Sequence, residues 1–241
     1  MKTYISAFLF SLLLASSALS QIKLKLPKLF SKDSTSRISE NEAGQGVKEA
    51  LAQGVTKAVL NLNKTDGFFG SEAYKLFLPP DAKKIENSLR NAGMGAQVDK
   101  AILAINRGAE DAVGYAKPIF VDAIKEMTIT DALNIVRGQK DAATQYFRQK
   151  TTVKLIEAFM PSIKSSLDKT DATKYYSDIV NKYNNFPTTF KKINPDLVSY
   201  VVGKAVDALF DQVAKEEANI RANPIARTTE ILKKVFGNVI R

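Results

Sequence analysis

The side chains best equipped for chemistry are three glutamates and the arginines around them. Asn106, Arg107 and Glu110 occupy neighbouring positions of one helical stretch, since residues three and four apart share a helix face. Glu110 stands among Ala109, Ala112 and Val113, a setting that predicts partial burial. A buried carboxylate needs a cation or hydrogen-bond donors, and Arg148, Arg221 and Arg227 are the candidates from other helices. Glu216 and Glu217, close to Arg221, could complete the same cluster. Two carboxylates facing each other across a gap of about 5–10 Å perform acid/base hydrolysis of a glycosidic bond, so Glu110 with Glu216 or Glu217 is the candidate catalytic pair of a hydrolase or lyase. The competing reading is a structural polar network of Asn106, Arg107, Glu110, Arg148, Glu217, Arg221 and Arg227 that fixes helix register. The second reading is the one adopted.

Other chemistries lack their side chains. The sequence contains no histidine, cysteine or tryptophan. It therefore offers no Ser-His-Asp triad, no Cys-His pair, no zinc site of the usual ligands, no conventional haem ligation and no helical di-iron site. No metal and no cofactor are expected, because the calcium-loop, Walker and dinucleotide glycine patterns are also missing. Asp207 and Asp211 lie one turn apart and read as a solvated acidic face. Ser166-Leu167-Asp168-Lys169 fits the S-x-x-K nucleophile motif by chance, without its companion motifs. Phe68-Phe69 is either an exposed anchor or, as is commoner, a pair packed under its own loop.

The elements that must position these residues are helical. Ser39 to Glu42 makes a capping box, and Val47, Leu51, Val55, Ala58, Val59 and Leu62 recur at helical spacing over about 40–62. Asp66-Gly67 ends that helix, and the stretch near 68–78 reads as extended, a small hairpin and the one strand candidate. Helices follow over about 81–92 and 96–116, then one starting at Pro118, a short one opened by Thr128 to Asp131 and ending near Gly138, and a longer one running to Met160, where Pro161 is expected to break it. Three more span about 171–184, 195–222 and 225–236, separated by Pro187, Pro195 and Asn223-Pro224. The fold class is all-α: one compact multi-helix bundle over 38–241.

The first twenty residues carry Lys2 and then an uncharged apolar run, Tyr4 to Ala15, closed by Ala18-Leu19-Ser20. This is the pattern of a secretory signal peptide over 1–20, cleaved between Ser20 and Gln21, and the run is shorter than the roughly 20 residues a bilayer span requires. Residues 21–37 alternate Lys23, Lys25, Lys28 and Lys32 with Ile22, Leu24, Leu26, Leu29 and Phe30 around Pro27, and read as a basic flexible linker. With no cysteine to lipidate or to bridge, the mature chain is expected to be exported, periplasmic or secreted, and stabilised by packing alone. The formal net charge is +10, spread along the chain, and the leader contributes only Lys2 to it. For an exported protein the matching anions are membrane phosphates and acidic envelope polymers; nucleic acid is not expected as a partner.

Several segments together carry a resemblance. They are Asp66-Gly67-Phe68-Phe69, Leu78-Pro79, Asn106-Arg107-Gly108-Ala109-Glu110, Met127-Thr128 with Asp131-Ala132, Ala143-Thr144 with Tyr146-Phe147-Arg148, Tyr200-Val201, Glu216-Glu217 with Ile220-Arg221 and Asn223-Pro224, then Arg227-Thr228-Thr229 and Val235-Phe236-Gly237. In order over about 39–237 they resemble the bacterial exported family known as domain of unknown function 4197. The resemblance implies an exported helical domain and no particular activity. Members often begin with a lipoprotein cysteine, which this chain lacks. The reading that results is a non-catalytic cell-envelope protein binding a partner, a lipid or an acidic polymer; the alternative is the carboxylate-dependent hydrolase or lyase.

Overall fold

The capping box at Ser39 forms as its spacing demands. The Ser39 backbone N–H donates to Glu42 Oε2 at 3.0 Å, and the Glu42 backbone N–H donates to Ser39 Oγ at 3.2 Å. Helix α1 follows over Glu40–Leu62. The computed structural model describes residues 39–185, 187 and 189–223. The leader, the basic linker and the helix expected over 225–236 lie outside them.

Seven further helices complete the described domain: α2 Lys83–Asn91, α3 Gly95–Val113, α4 Ala116–Glu126, α5 Ile129–Arg137, α6 Ala142–Asp168, α7 Ala172–Asn184 and α8 Leu197–Ala222. A short 3-10 turn, Pro80–Ala82, leads into α2. Pro118 falls in the first turn of α4, where a missing N–H leaves no intrahelical bond unmade. Thr128 and Asp131 form a second capping box at the head of α5.

The middle of the bundle is α6, which packs on α3 and α8, with α1 closing against α8, α4 and α5. Phe120 of α4, Phe147 of α6 and Phe210 of α8 are fully buried and meet edge to face, with ring centres 5.2 Å apart for Phe120 with Phe147 and 6.2 Å for Phe120 with Phe210. The α3–α6 crossing is close. A methyl on Gly108 would sit 3.0 Å from Ser166 Cβ and 3.3 Å from the Ile163 backbone.

Two expectations fail here. Helix α6 does not stop at Met160 but runs through Pro161 to Asp168. Leu155, Phe159, Ile163 and Leu167, four residues apart, are all completely buried on one face. Burial of each such side chain contributes about 1.5–3 kcal/mol, which outweighs the roughly 3 kcal/mol that an interior proline costs. Pro161 and Glu157 are exposed, so the carbonyl that the proline leaves unbonded opens to water. The second correction concerns 68–78, which contains no strand; among the described residues there is no sheet at all. The segment is a chain of turns: Phe68 N, Phe69 N and both backbone groups of Leu76 are met by α3 side chains, and Gly70, Ser71, Tyr74 and Lys75 bond within the turns.

Candidate functional site

The Asp66-Gly67 turn sets the first polar site. Asp66 adopts the left-handed region at φ 64°, a conformation that aspartate tolerates better than most side chains. At Gly67 a Cβ would lie 2.3 Å from the Leu62 carbonyl oxygen, so no larger residue passes there. The turn delivers the next two backbone N–H groups to α3. Phe68 N and Phe69 N donate to Glu110 Oε1 at 3.0 and 3.1 Å, while Arg107 Nη1 donates to Glu110 Oε2 at 2.6 Å. Arg107 also reaches Asp66 at 2.9 Å, and the two carboxylates, Glu110 foremost, hold its guanidinium pKa above the ordinary value. Glu110 is 4 % exposed. Among the described residues its cation is therefore the neighbour on its own helix, Arg107, and not Arg148 or Arg221. Phe68 is completely buried under its loop, and Phe69 is half-buried beneath Lys75, whose ammonium lies 4.2 Å from the ring centre.

Asn106, fully buried, holds the far end of the same segment. Its Oδ1 accepts from Leu76 N at 2.8 Å and its Nδ2 donates to Leu76 O at 2.8 Å, so the side-chain amide pairs with Leu76 as a neighbouring strand would. Asn63, just past α1, donates to the Glu110 carbonyl at 2.6 Å and ties α1 to the same point. The sequence marks Asp66 only as the end of α1 and does not mark Asn63 at all, and the signal for both is the local turn chemistry there.

A separate site forms where α8 meets the α5–α6 corner. Glu217, 7 % exposed, accepts from Ala143 N at 3.0 Å, Thr144 N at 2.9 Å and Thr144 Oγ1 at 2.8 Å. It caps the start of α6 from another helix, a role that the N-cap residue Asp141 does not perform. Arg221 donates to Glu217 at 3.1 and 2.9 Å and to the carbonyls of Ile135 and Val136 at 2.8 and 3.4 Å. One ion pair thus places an anion at a helix start and a cation at a helix end, the favourable arrangement at each.

The two glutamates do not share a cluster. Glu217 lies beside Val47 and Leu51, near the start of α1, while Glu110 is fixed at Asn63, past its end. Twelve residues of helix at 1.5 Å each separate those positions, about 18 Å. Glu216 pairs with Lys57 at 2.8 Å. Arg148 faces Asp207 at 3.8 Å and stacks over Phe210 at 4.5 Å, and Arg227 lies outside the described residues. Asp211 accepts from Tyr74 Oη at 2.6 Å and from Lys215 at 2.9 Å, and these bonds, Tyr74's first, hold its carboxyl below the usual range. Ser166 Oγ donates to the Ala104 carbonyl at 3.1 Å, a helix-packing contact.

Away from both sites, α2, α3, α7 and the α6–α7 turn enclose a cleft of about 450 Å³. Its walls are Ile85 and Leu89 of α2, Val98 and Ala101 of α3, and Tyr176 and Ile179 of α7. Burial pushes the Tyr176 hydroxyl up to about 12, and that hydroxyl donates to the Asn194 carbonyl at 3.2 Å. Lys100, Lys169 and Asp171 stand at the rim. None of these residues was foreseen as a site, because only the α3–α6 register brings Lys100 and Lys169 together.

These features define a helical domain pinned by two buried carboxylate clamps, each glutamate occupied by backbone donors and an arginine, with an amphipathic cleft on a different face. The chain belongs to the family described as Protein of unknown function (DUF4197), which matches residues 37–237. No curated protein and no solved structure matches it.

Proposed function

We propose that the chain is a non-catalytic exported protein of the cell envelope that binds another molecule, through its basic helical surface and the cleft between its helices. The observation that carries this reading is the occupancy of Glu110 and Glu217, two of the four buried glutamates among the described residues; a third, Glu216, is paired with Lys57. Glu110 accepts three hydrogen bonds and Glu217 five, mostly from groups that hold the fold together. An acid/base catalyst must exchange a proton with substrate, whereas these carboxylates are only 4 % and 7 % exposed and are already engaged by backbone and arginine donors. The net charge of +10 favours anionic ligands. The leader pattern ending Ala18-Leu19-Ser20 supports export with cleavage before Gln21, and no helix among the described residues is long and apolar enough to cross a membrane.

The test has two parts. Intact-mass measurement of exported material is expected to give a chain beginning at Gln21; retention of Met1 to Ser20 refutes the leader. The mature protein is then incubated with envelope polymers and lipids while new reducing ends and released products are followed. No turnover is expected. Product formation that Glu110→Gln, Glu216→Gln or Glu217→Gln abolishes would establish the hydrolase or lyase reading instead.

A further inference from the structure

We infer that the cleft between α2, α3 and α7 is a binding site for a single-chain amphiphile with a monoanionic head, of the fatty-acid or lysophospholipid type. This rests on the non-catalytic binding reading and names its ligand class. The volume of about 450 Å³ is in the range of small-molecule sites, roughly 300–1,000 Å³, and towards its lower end. A site of that size accepts one acyl chain and is too small to enclose a folded partner or both tails of a two-tailed lipid. The walls are mostly aliphatic and aromatic carbon, with polar atoms added by Gln97, Thr170 and Tyr175, and the buried hydroxyl of Tyr176 is already committed to Asn194.

The head-group assignment comes from the rim. Ser166 bonds to Ala104 and Gly108 packs on Ile163, so α3 and α6 run antiparallel in a register that sets Lys100 and Ala101 beside Lys169. Both ammonium groups are exposed, and among the described residues neither forms an ion pair. Asp171 is the carboxylate of the same rim. Two cations against one anion leave a net positive charge of one, which a monoanionic head neutralises. An apolar trench with unpaired lysines at its mouth is matched by an acyl chain that carries a carboxylate or phosphate at one end.

The protein has no tryptophan, so Met94→Trp, at the exposed edge of the cleft, supplies an unambiguous fluorescence reporter. Dodecanoate is titrated into the mature Met94→Trp protein below its micelle concentration, with dodecyltrimethylammonium as the oppositely charged control. Expected is saturable one-to-one binding of dodecanoate, at least about tenfold tighter than the cation, and a loss of about tenfold or more in Lys100→Glu/Lys169→Glu. Isothermal titration calorimetry of the parent against dodecanoate gives the same stoichiometry without the reporter. Three results overturn the inference: no saturable binding, equal affinity for both heads, or full affinity in the charge-reversed variant. Sedimentation with anionic vesicles without a response to free dodecanoate also overturns it, in favour of a membrane-surface contact. If dodecanoate fails while turnover is still absent, only the ligand class falls; turnover lost in Glu110→Gln removes the reading beneath it.

Discussion

Glu110 shows how far a single side chain can be read. Sequence logic expects partial burial and a cation from another helix; the side chain is 4 % exposed, its cation is Arg107 three residues back, and its principal partners are two backbone N–H groups. The distinction changes the expected cost of removing it. Arg107 is about one-third exposed and keeps Asp66, so it is not stranded in Glu110→Ala. The cost falls on Phe68 N, left buried without an acceptor, and on half-buried Phe69 N. Each unsatisfied buried donor costs about 1–3 kcal/mol, which predicts a loss of about 2–4 kcal/mol in a denaturant melt. Glu110→Gln retains an acceptor oxygen and is expected to lose less than half as much. Equal losses in the two variants would mean that the charge, and not the acceptor, holds the loop.

At the scale of the helix, α6 makes the clearest forecast. Its interior proline is tolerated because the opposite face is buried, not because a kink is needed there. Pro161→Ala is therefore expected to restore one backbone hydrogen bond on the exposed face and raise stability by up to about 3 kcal/mol, read as a higher midpoint in thermal unfolding. A lower midpoint would show that the proline shapes a required bend. Helix α5 gives a pH prediction. Hydrogen bonds from Thr128, side chain first and backbone second, hold the Asp131 carboxyl below its ordinary range. A depressed carboxyl contributes stability that is present above its unfolded pKa and lost as the pH falls through the folded one. Thr128→Val removes the hydroxyl. It is expected to move the Asp131 titration, followed by NMR, upward towards the ordinary carboxylate range and to flatten the acid side of the stability profile.

For the whole molecule, the all-helical architecture was legible because amphipathic periodicity and capping boxes are local. Ser39 with Glu42 and Thr128 with Asp131 announce their helix starts within four residues. The failures are non-local. Phe68-Phe69 and the Tyr74 to Leu78 run have strand composition, yet α3 meets their backbone before any strand can. Glu217 and Glu110 look like halves of one site because both are buried carboxylates, and only the path of α1 between them separates the two. The cleft was invisible for the same reason, since Lys100 and Lys169 are 69 positions apart in sequence and become neighbours through helix register alone.

The Asn106–Leu76 pairing bears on how this domain opens. Segments without helix or strand ordinarily exchange their amide hydrogens quickly, by small local fluctuations. Here the amides of Phe68 and Leu76 are bonded to residues of α3, buried beneath the loop, so neither can be released while Glu110 and Asn106 keep their places. Their hydrogens should exchange at rates near those of the interior of α3, as part of one cooperative unit that spans turn and helix.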